Sequence, residues 1–387
     1  MNNERIYLDN AATTRLDEEV LAAMMPILQE RFGNPSSLHG YGMEAKASVE
    51  MARKSIAEIL GIKTGTLVFT SGGTESNNMA IRAALRDLGC SHVLYSPIEH
   101  HAVLHAIEAY SGGVGGAGRQ GSSVVNLGQE GEIDLSNLER QLGEQRAEGR
   151  KCLVCLMHAN NETGMITDLV AAGAICRKYD GLLFSDMVAS IGHLPVNLSA
   201  LPVDLASAAA HKFHGPKGVG LLYAREGLSL SPLLHGGGQE RNRRAGTENV
   251  AGIVGMARAL EVFMRDYERD SPQIRALKLR LVQGLQRAFP DIHFNGDPIN
   301  GLYTIVSISL QKTEATEWLL SELDQAGISV SGGSACSGGG SHVMEAIGMS
   351  GSVNIRFSLS KYNTINEIVR AVSVISERVT GQVFSCD

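Results

Sequence analysis

No apolar run in this 387-residue chain reaches the roughly 20 positions needed to cross a bilayer. The opening Met1-Asn2-Asn3-Glu4-Arg5 holds no apolar signal-peptide core, so export is not expected and the expected compartment is the cytoplasm. Basic residues are not in excess. Against 41 Asp and Glu stand 34 Lys and Arg, and the formal charge of −7 argues against a nucleic-acid-binding surface. The six cysteines (Cys90, Cys152, Cys155, Cys176, Cys336 and Cys386) form no disulfide-like framework for a chain this long. Cys152 and Cys155 have CxxC spacing, but they lie in a strand-like run, where residues three apart point to opposite faces. No second CxxC accompanies them, so core packing is expected rather than zinc or redox chemistry, and no metal site is expected at all.

What is present is ordinary for a globular enzyme: 43% apolar and 19% charged residues, with a length that predicts two domains. One stretch organises the rest. An apolar run from Val203 to Ala210 ends abruptly at His211 and Lys212, and a turn built on Gly215, Pro216 and Gly218 follows. A lysine at the mouth of a buried strand is poorly solvated, which favours the neutral amine. Such an amine attacks carbonyls and forms a Schiff base, the chemistry of a pyridoxal phosphate site. Taken alone, a solvated turn lysine explains the same dipeptide.

Other strand ends decide between the two readings. Leu67–Thr70 reads as a strand running into Ser71-Gly72-Gly73-Thr74 and then a helix. Glycines there let the backbone approach an anion, and free N–H groups at the helix start bind it. A strand over 92–95 precedes His100, one over 152–157 precedes Asn161, and one over 181–185 ends in Asp186. Thr74, His100, Asn161, Asp186 and Lys212 therefore all fall at strand ends of an α/β sheet, the edge where ligands bind. An Asp that keeps a proton on a pyridine nitrogen and a Lys that carries the aldehyde suit pyridoxal phosphate.

Helices are predicted near 18–32, 42–60 and 168–179. Another runs from about 250 to 288 with a break at Asp270-Ser271-Pro272. The Gly-rich stretch 111–123 reads as a flexible loop, and 233–249, with its glycines and arginines, as an ordered anion-binding loop or a solvated basic one. We expect a large domain over 16–262 and a smaller α+β domain from 1–15 and 263–387. The smaller one has strands near 303–310 and 353–359 and helices near 314–326 and 364–380. It carries Cys336 among glycines and serines, the setting of an accessible nucleophile. It also carries Arg356 inside a strand, where a carboxylate partner is expected, either structural or a substrate's.

Nine stretches together resemble the cysteine desulfurases, pyridoxal phosphate enzymes of the class V aminotransferase group. They are 7–14 (Tyr-Leu-Asp-Asn-Ala-Ala-Thr-Thr), 33–37 (Gly-Asn-Pro-Ser-Ser), 70–78 (Thr-Ser-Gly-Gly-Thr-Glu-Ser-Asn-Asn), 160–164 (Asn-Asn-Glu-Thr-Gly), His211-Lys212, 236–241 (Gly-Gly-Gly-Gln-Glu-Arg), 245–247 (Ala-Gly-Thr), 333–336 (Gly-Ser-Ala-Cys) and 356–358 (Arg-Phe-Ser). The resemblance implies a fold-type-I homodimer with a mostly parallel seven-stranded sheet. It makes Lys212 the Schiff-base lysine, Asp186 the partner of the pyridine nitrogen and His100 the group stacked on the ring. Asn161 would lie near the ring oxygen or the substrate carboxylate. Gly73, Thr74 and His211 would hold the phosphate, joined by Thr247 of the other subunit. Asn34 and Arg356 would bind the carboxylate of L-cysteine. Cys336 would take the sulfur as a persulfide, leaving alanine, and pass it to an acceptor protein or thiol. Iron–sulfur assembly, tRNA thiolation and DNA phosphorothioation are the destinations such enzymes serve.

Three departures stand out. Ala189 and Ala209 occupy positions where the family usually has Gln and Ser bonded to the cofactor, and the segment after Cys336 is about three residues short. Ala189 and Ala209 keep open a degenerate homologue acting as a partner in a sulfur-transfer complex, and the same fold also admits a related selenocysteine lyase or aminotransferase.

Overall fold

The computed structural model describes residues 5–112, 121–332 and 340–381; Cys336 and Cys386 lie outside them. After the short β1 (Ile6–Tyr7), seven strands build the main sheet. They are β2 (Leu67–Thr70), β3 (His92–Tyr95), β4 (Gly121–Val124), β5 (Cys152–Cys155), β6 (Leu182–Asp186), β7 (Leu205–Ala209) and β8 (Gly220–Ala224). Their spatial order is β2-β8-β7-β6-β5-β3-β4. Only β8 runs antiparallel to its neighbours. Short, continuously apolar strands are what a parallel sheet covered on both faces demands, and β5 to β8 are buried at every position.

The CxxC pair shows the two faces directly. Cys152 packs into the cluster that holds Val154 and Leu183, and Cys155 into the opposite one with Leu153 and Phe184. Both are buried and free, like Cys90 and Cys176. Among the described residues no group of three or more His, Cys, Asp or Glu could hold a metal ion. No described helix is long and apolar enough to cross a membrane.

A second core gathers around β9 (His293–Phe294), β10 (Ile305–Gln311), β11 (Ile328–Ser329) and β12 (Ser352–Ser358). The order β12-β10-β9 is antiparallel, while β11 pairs with β1 in parallel. Helix Ile365–Thr380 closes this core. A Thr364–Glu367 capping box starts it and a left-handed Gly381 stops it.

Two expectations need correction. The helix over 250–288 has no break: Val250–Ala288 is one helix of 39 residues that passes through Pro272. Proline removes one backbone hydrogen bond, but the helix is held on both sides of it. Its first half packs on helices Glu18–Gln29 and Gly40–Ile59, its second half on Ile365–Thr380. Ile253 to Leu260 belong to the first core and Ile274 to Leu285 to the second, so tertiary burial overrides the local signal. The stretch 111–123 is not loop to its end either, since Gly121–Val124 forms β4 against β3. An edge strand with alternating partial exposure needs little apolar content.

One buried ion pair ties the helices to the sheet. Arg53 donates to Glu240 at 2.7 and 3.1 Å, and the Phe69 backbone N–H donates to the same carboxylate at 2.9 Å. Both side chains are only 3% exposed. Removing one partner strands a buried charge. Glu240→Ala should therefore lower stability by about 3–5 kcal/mol, whereas Lys63→Ala, which breaks the exposed pair with Glu226, should cost under about 1 kcal/mol. Denaturation midpoints of the two variants measure the contrast, and equal shifts would refute it.

Candidate active site

Seven of the residues singled out above line one cleft of about 250 Å³: Gly73, Thr74, His100, Asn161, Asp186, His211 and Lys212. The cleft opens at the C-terminal ends of β5, β6 and β7, the place the strand pattern predicts. Ala189 and Ala209 line it too.

Asp186 is the last residue of β6 and is 5% exposed. Its Oδ2 accepts from Asn77 Nδ2 at 2.7 Å and its Oδ1 from the Val188 backbone N–H at 3.0 Å. These bonds hold the carboxylate in one orientation. Asn77 lies one helical turn after Gly73, so the helix that presents its N-terminus to the cleft also supports the acid. Asn77 stands in the 70–78 motif, and its one-turn spacing from Gly73 is the sequence signal for this supporting role. Asn77 Oδ1 is buried and has no partner among the described residues.

Lys212 ends a short 3₁₀ turn that follows β7. Its Nζ donates to the carbonyls of Ala11 at 2.6 Å and Ala12 at 2.9 Å. The same N-terminal arm grips the preceding residue. The Thr14 backbone N–H and hydroxyl both donate to the His211 carbonyl, at 2.9 and 2.8 Å. His211 Nδ1 lies 3.2 Å from Thr13 Oγ1.

His100 caps the helix His101–Ser111, and its Nδ1 accepts from the Ala102 backbone N–H at 3.0 Å. A ring nitrogen that accepts carries no proton, so the neutral ring has its hydrogen on Nε2. Burial pushes the His100 pKa down; Asp186 pulls it up, and Lys212 pushes it down again.

The turn before helix Gly73–Arg86 is a cradle. Gly72 sits at φ 157° and ψ −177°, a conformation reserved for glycine. A Cβ on Gly73 would come within 2.7 Å of Val188 Cγ2. Backbone N–H groups of the first helical turn, with the Thr74 hydroxyl, form an anion site. An amine, a fixed carboxylate, a neutral imidazole and a helix N-terminus are the donor set that pyridoxal phosphate requires, and the residues fit it.

Three predicted residues lie elsewhere. Thr247 is exposed and lines a separate cavity of about 110 Å³ with Ser71 and Arg244. Asn34 is exposed, and its Oδ1 accepts from the Ser36 backbone N–H at 2.9 Å. Arg356 is buried behind the cleft, donating to Asp9 at 2.8 Å and to the Asn161 carbonyl at 2.9 Å. Asp9 is thus its structural carboxylate partner, which sequence reasoning anticipated in kind but did not name. Arg356 Nε is buried without a partner among the described residues.

Burial pushes four histidines, His158, His193, His211 and His214, down to about 4. They are neutral when folded, and the unfolded chain takes up their protons first. Stability should then be full above about pH 6.5 and fall as the pH drops toward about 4. Thermal unfolding across that window measures the fall, and a His193→Gln variant should show a shallower slope. A flat profile would contradict the burial argument.

The comparisons agree with this geometry. The family model described as aminotransferase class-V matches residues 6–370. A cysteine desulfurase IscS from Dictyoglomus turgidum is 40% identical, the alignment covering 97% of this chain and 94% of the relative. A solved NifS-like protein superposes with a TM-score of 0.87 at 36% identity, covering 98% of this chain and 100% of the other. The structure of SspA in complex with cysteine gives a TM-score of 0.77 at 28% identity, over 93% and 100% of the two chains. With a cleft of this composition and relatives that match end to end, the chain belongs to the cysteine desulfurase family of class-V aminotransferases.

Proposed function

We propose that this chain is a pyridoxal phosphate-dependent cysteine desulfurase that works as a cytoplasmic homodimer. The carrying observation is the convergence of Lys212, Asp186 with its Asn77 support, and His100 in one cleft. Bound pyridoxal phosphate supplies an electron sink for negative charge developing at the substrate Cα. Lys212 Nζ would hold the cofactor and exchange a proton with Cα. The Asp186 carboxylate would keep a proton on the pyridine nitrogen, and Asn77 holds that carboxylate in place. His100 would lie against the ring and offer its Nε2 proton. Gly73, Thr74 and His211 would hold the phosphate. The Nε of buried Arg356, without a partner among the described residues, supports its assignment to the substrate carboxylate, with Asn34 and Asn161.

The net reaction is redox-balanced. The Cβ–S bond of L-cysteine breaks, the sulfur joins the Cys336 thiol as a persulfide, and the thiol proton ends on carbon as L-alanine forms. The persulfide sulfur then passes to an acceptor protein or small thiol, with iron–sulfur cluster assembly as the destination we favour.

Two observations support a homodimer. Leu28, Phe32, Leu38, Tyr41, Met43 and Met51 expose a large apolar area on neighbouring segments, Leu38 at 94% and Phe32 at 71%. Thr247 also serves no part of its own cleft.

With L-cysteine and a reductant, the protein should release alanine and sulfide; no release above a Lys212→Ala control would sink the proposal. Cys336→Ala should end sulfide release yet keep the visible cofactor band. Restoring the usual donors, as Ala189→Gln and Ala209→Ser, should tighten cofactor binding about tenfold or more for each bond regained. Cofactor titration followed by the visible band reads this. Unchanged affinity would mean that neither alanine weakens the grip.

A further inference from the structure

Residues 239–249 are held far more firmly than a solvated basic loop needs to be. The Arg53–Glu240 pair fixes one end of the segment to β2. A second pair fixes its middle: Arg244 donates to both Glu75 oxygens, at 2.9 and 3.3 Å. Glu75 stands in the first turn of helix Gly73–Arg86 and accepts from the Ser71 backbone N–H at 2.7 Å. The segment is therefore joined to the turn that presents Gly73 and Thr74 to the cleft. Between the two pairs the backbone passes through three successive left-handed residues, Glu240, Arg241 and Asn242, at φ 45°, 58° and 64°. Residues with a Cβ adopt that run only where the surroundings over-determine it. The far end is fixed as well. Gln239 Oε1 accepts from the Gly246 N–H at 3.1 Å, and Asn249 caps the long helix while donating to the Gly218 carbonyl at 3.2 Å.

None of residues 239–249 lines the cleft of its own chain, and among them Thr247 is exposed. We propose that the Arg53–Glu240 and Arg244–Glu75 pairs are positioning residues that aim Thr247 at the cofactor phosphate in a second copy's cleft. The phosphate turn of each copy then sets the geometry of its partner's site. The inference rests on the homodimeric reading above and deepens it.

Hybrid dimers separate the effects. Two differently tagged chains are co-expressed, and only one keeps Lys212, the other being Lys212→Ala; the visible band then reports one site. With Arg244→Leu on the Lys212→Ala chain, the cofactor dissociation constant at the intact site should rise about tenfold. With Arg244→Leu on the chain that keeps Lys212, it should stay within about twofold of the control hybrid. Thr247→Val should show the same dependence on which chain carries it. Arg244→Lys, which keeps the charge and loses the bidentate fork, should give an intermediate loss.

A loss that appears only on the chain keeping Lys212, or equally from both chains, overturns the proposal. So does a Thr247→Val effect across the dimer with none from Arg244→Leu; that result leaves the homodimer standing. Chains that sediment as monomers while binding cofactor overturn the homodimer and the inference together.

Discussion

Two carbonyl oxygens receive the ammonium of Lys212, and much of the molecule is arranged to put them there. They belong to Ala11 and Ala12, in the arm that leaves the smaller core and crosses to the main sheet. An ammonium partly withdrawn from water needs oxygen partners to offset the desolvation it suffers. The arm meets that demand while being held at both ends. On one side β1 pairs with β11, and Asp9 bonds Arg356. On the other, Thr14 binds the His211 carbonyl twice and also accepts from the His214 N–H at 2.7 Å. His214 can serve there because its φ of 65° turns the chain sharply after Lys212. The lysine is thus the seam between the two cores.

Register does the remaining placement. In the parallel β6–β7 pair Asp186 stands opposite Ser207. The chain then continues through Ala209 into the 3₁₀ turn that ends at Lys212. Acid and amine therefore reach the same edge from adjacent strands without any flexible loop between them and the sheet. His100 is equally constrained, because its ring is used as a helix cap. Asp186 and Lys212 each make two bonds to the scaffold and His100 makes one, which fixes their directions at the cleft. Asn77 keeps capacity in reserve, with its amide nitrogen on Asp186 and its oxygen buried without a partner among the described residues.

That logic explains which parts were legible beforehand. Strand ends are legible because an apolar run that stops at a polar residue is a one-dimensional signal. Thr74, His100, Asn161, Asp186 and Lys212 gave that signal and share one cleft. Asn77 and Asp9 were illegible because their roles depend on partners 109 and 347 positions away. Gly121–Val124 escaped because an edge strand carries half the apolar demand of a central one. Pro272 misleads because the energy that keeps its helix continuous comes from two cores, neither of them local. Thr247 and Asn34 lie apart from the cleft, and no local pattern around them reports that separation.

The balance of forces in the cleft differs from the family pattern in a definite direction. Ala189 and Ala209 bring methyl groups to positions where the pattern has hydrogen-bonding side chains. Each missing bond to a charged group is worth about 1.5–3 kcal/mol. Val188 crowds the same wall, filling the space a Cβ on Gly73 would need, and burying its methyl groups returns only about 0.8 kcal/mol per carbon. Packing cannot offset both losses at those magnitudes. On the proposed assignment, more of the grip would come from what remains: a covalent link at Lys212, the Asp186–Asn77 pair, and the helix N-terminus at Gly72 and Gly73.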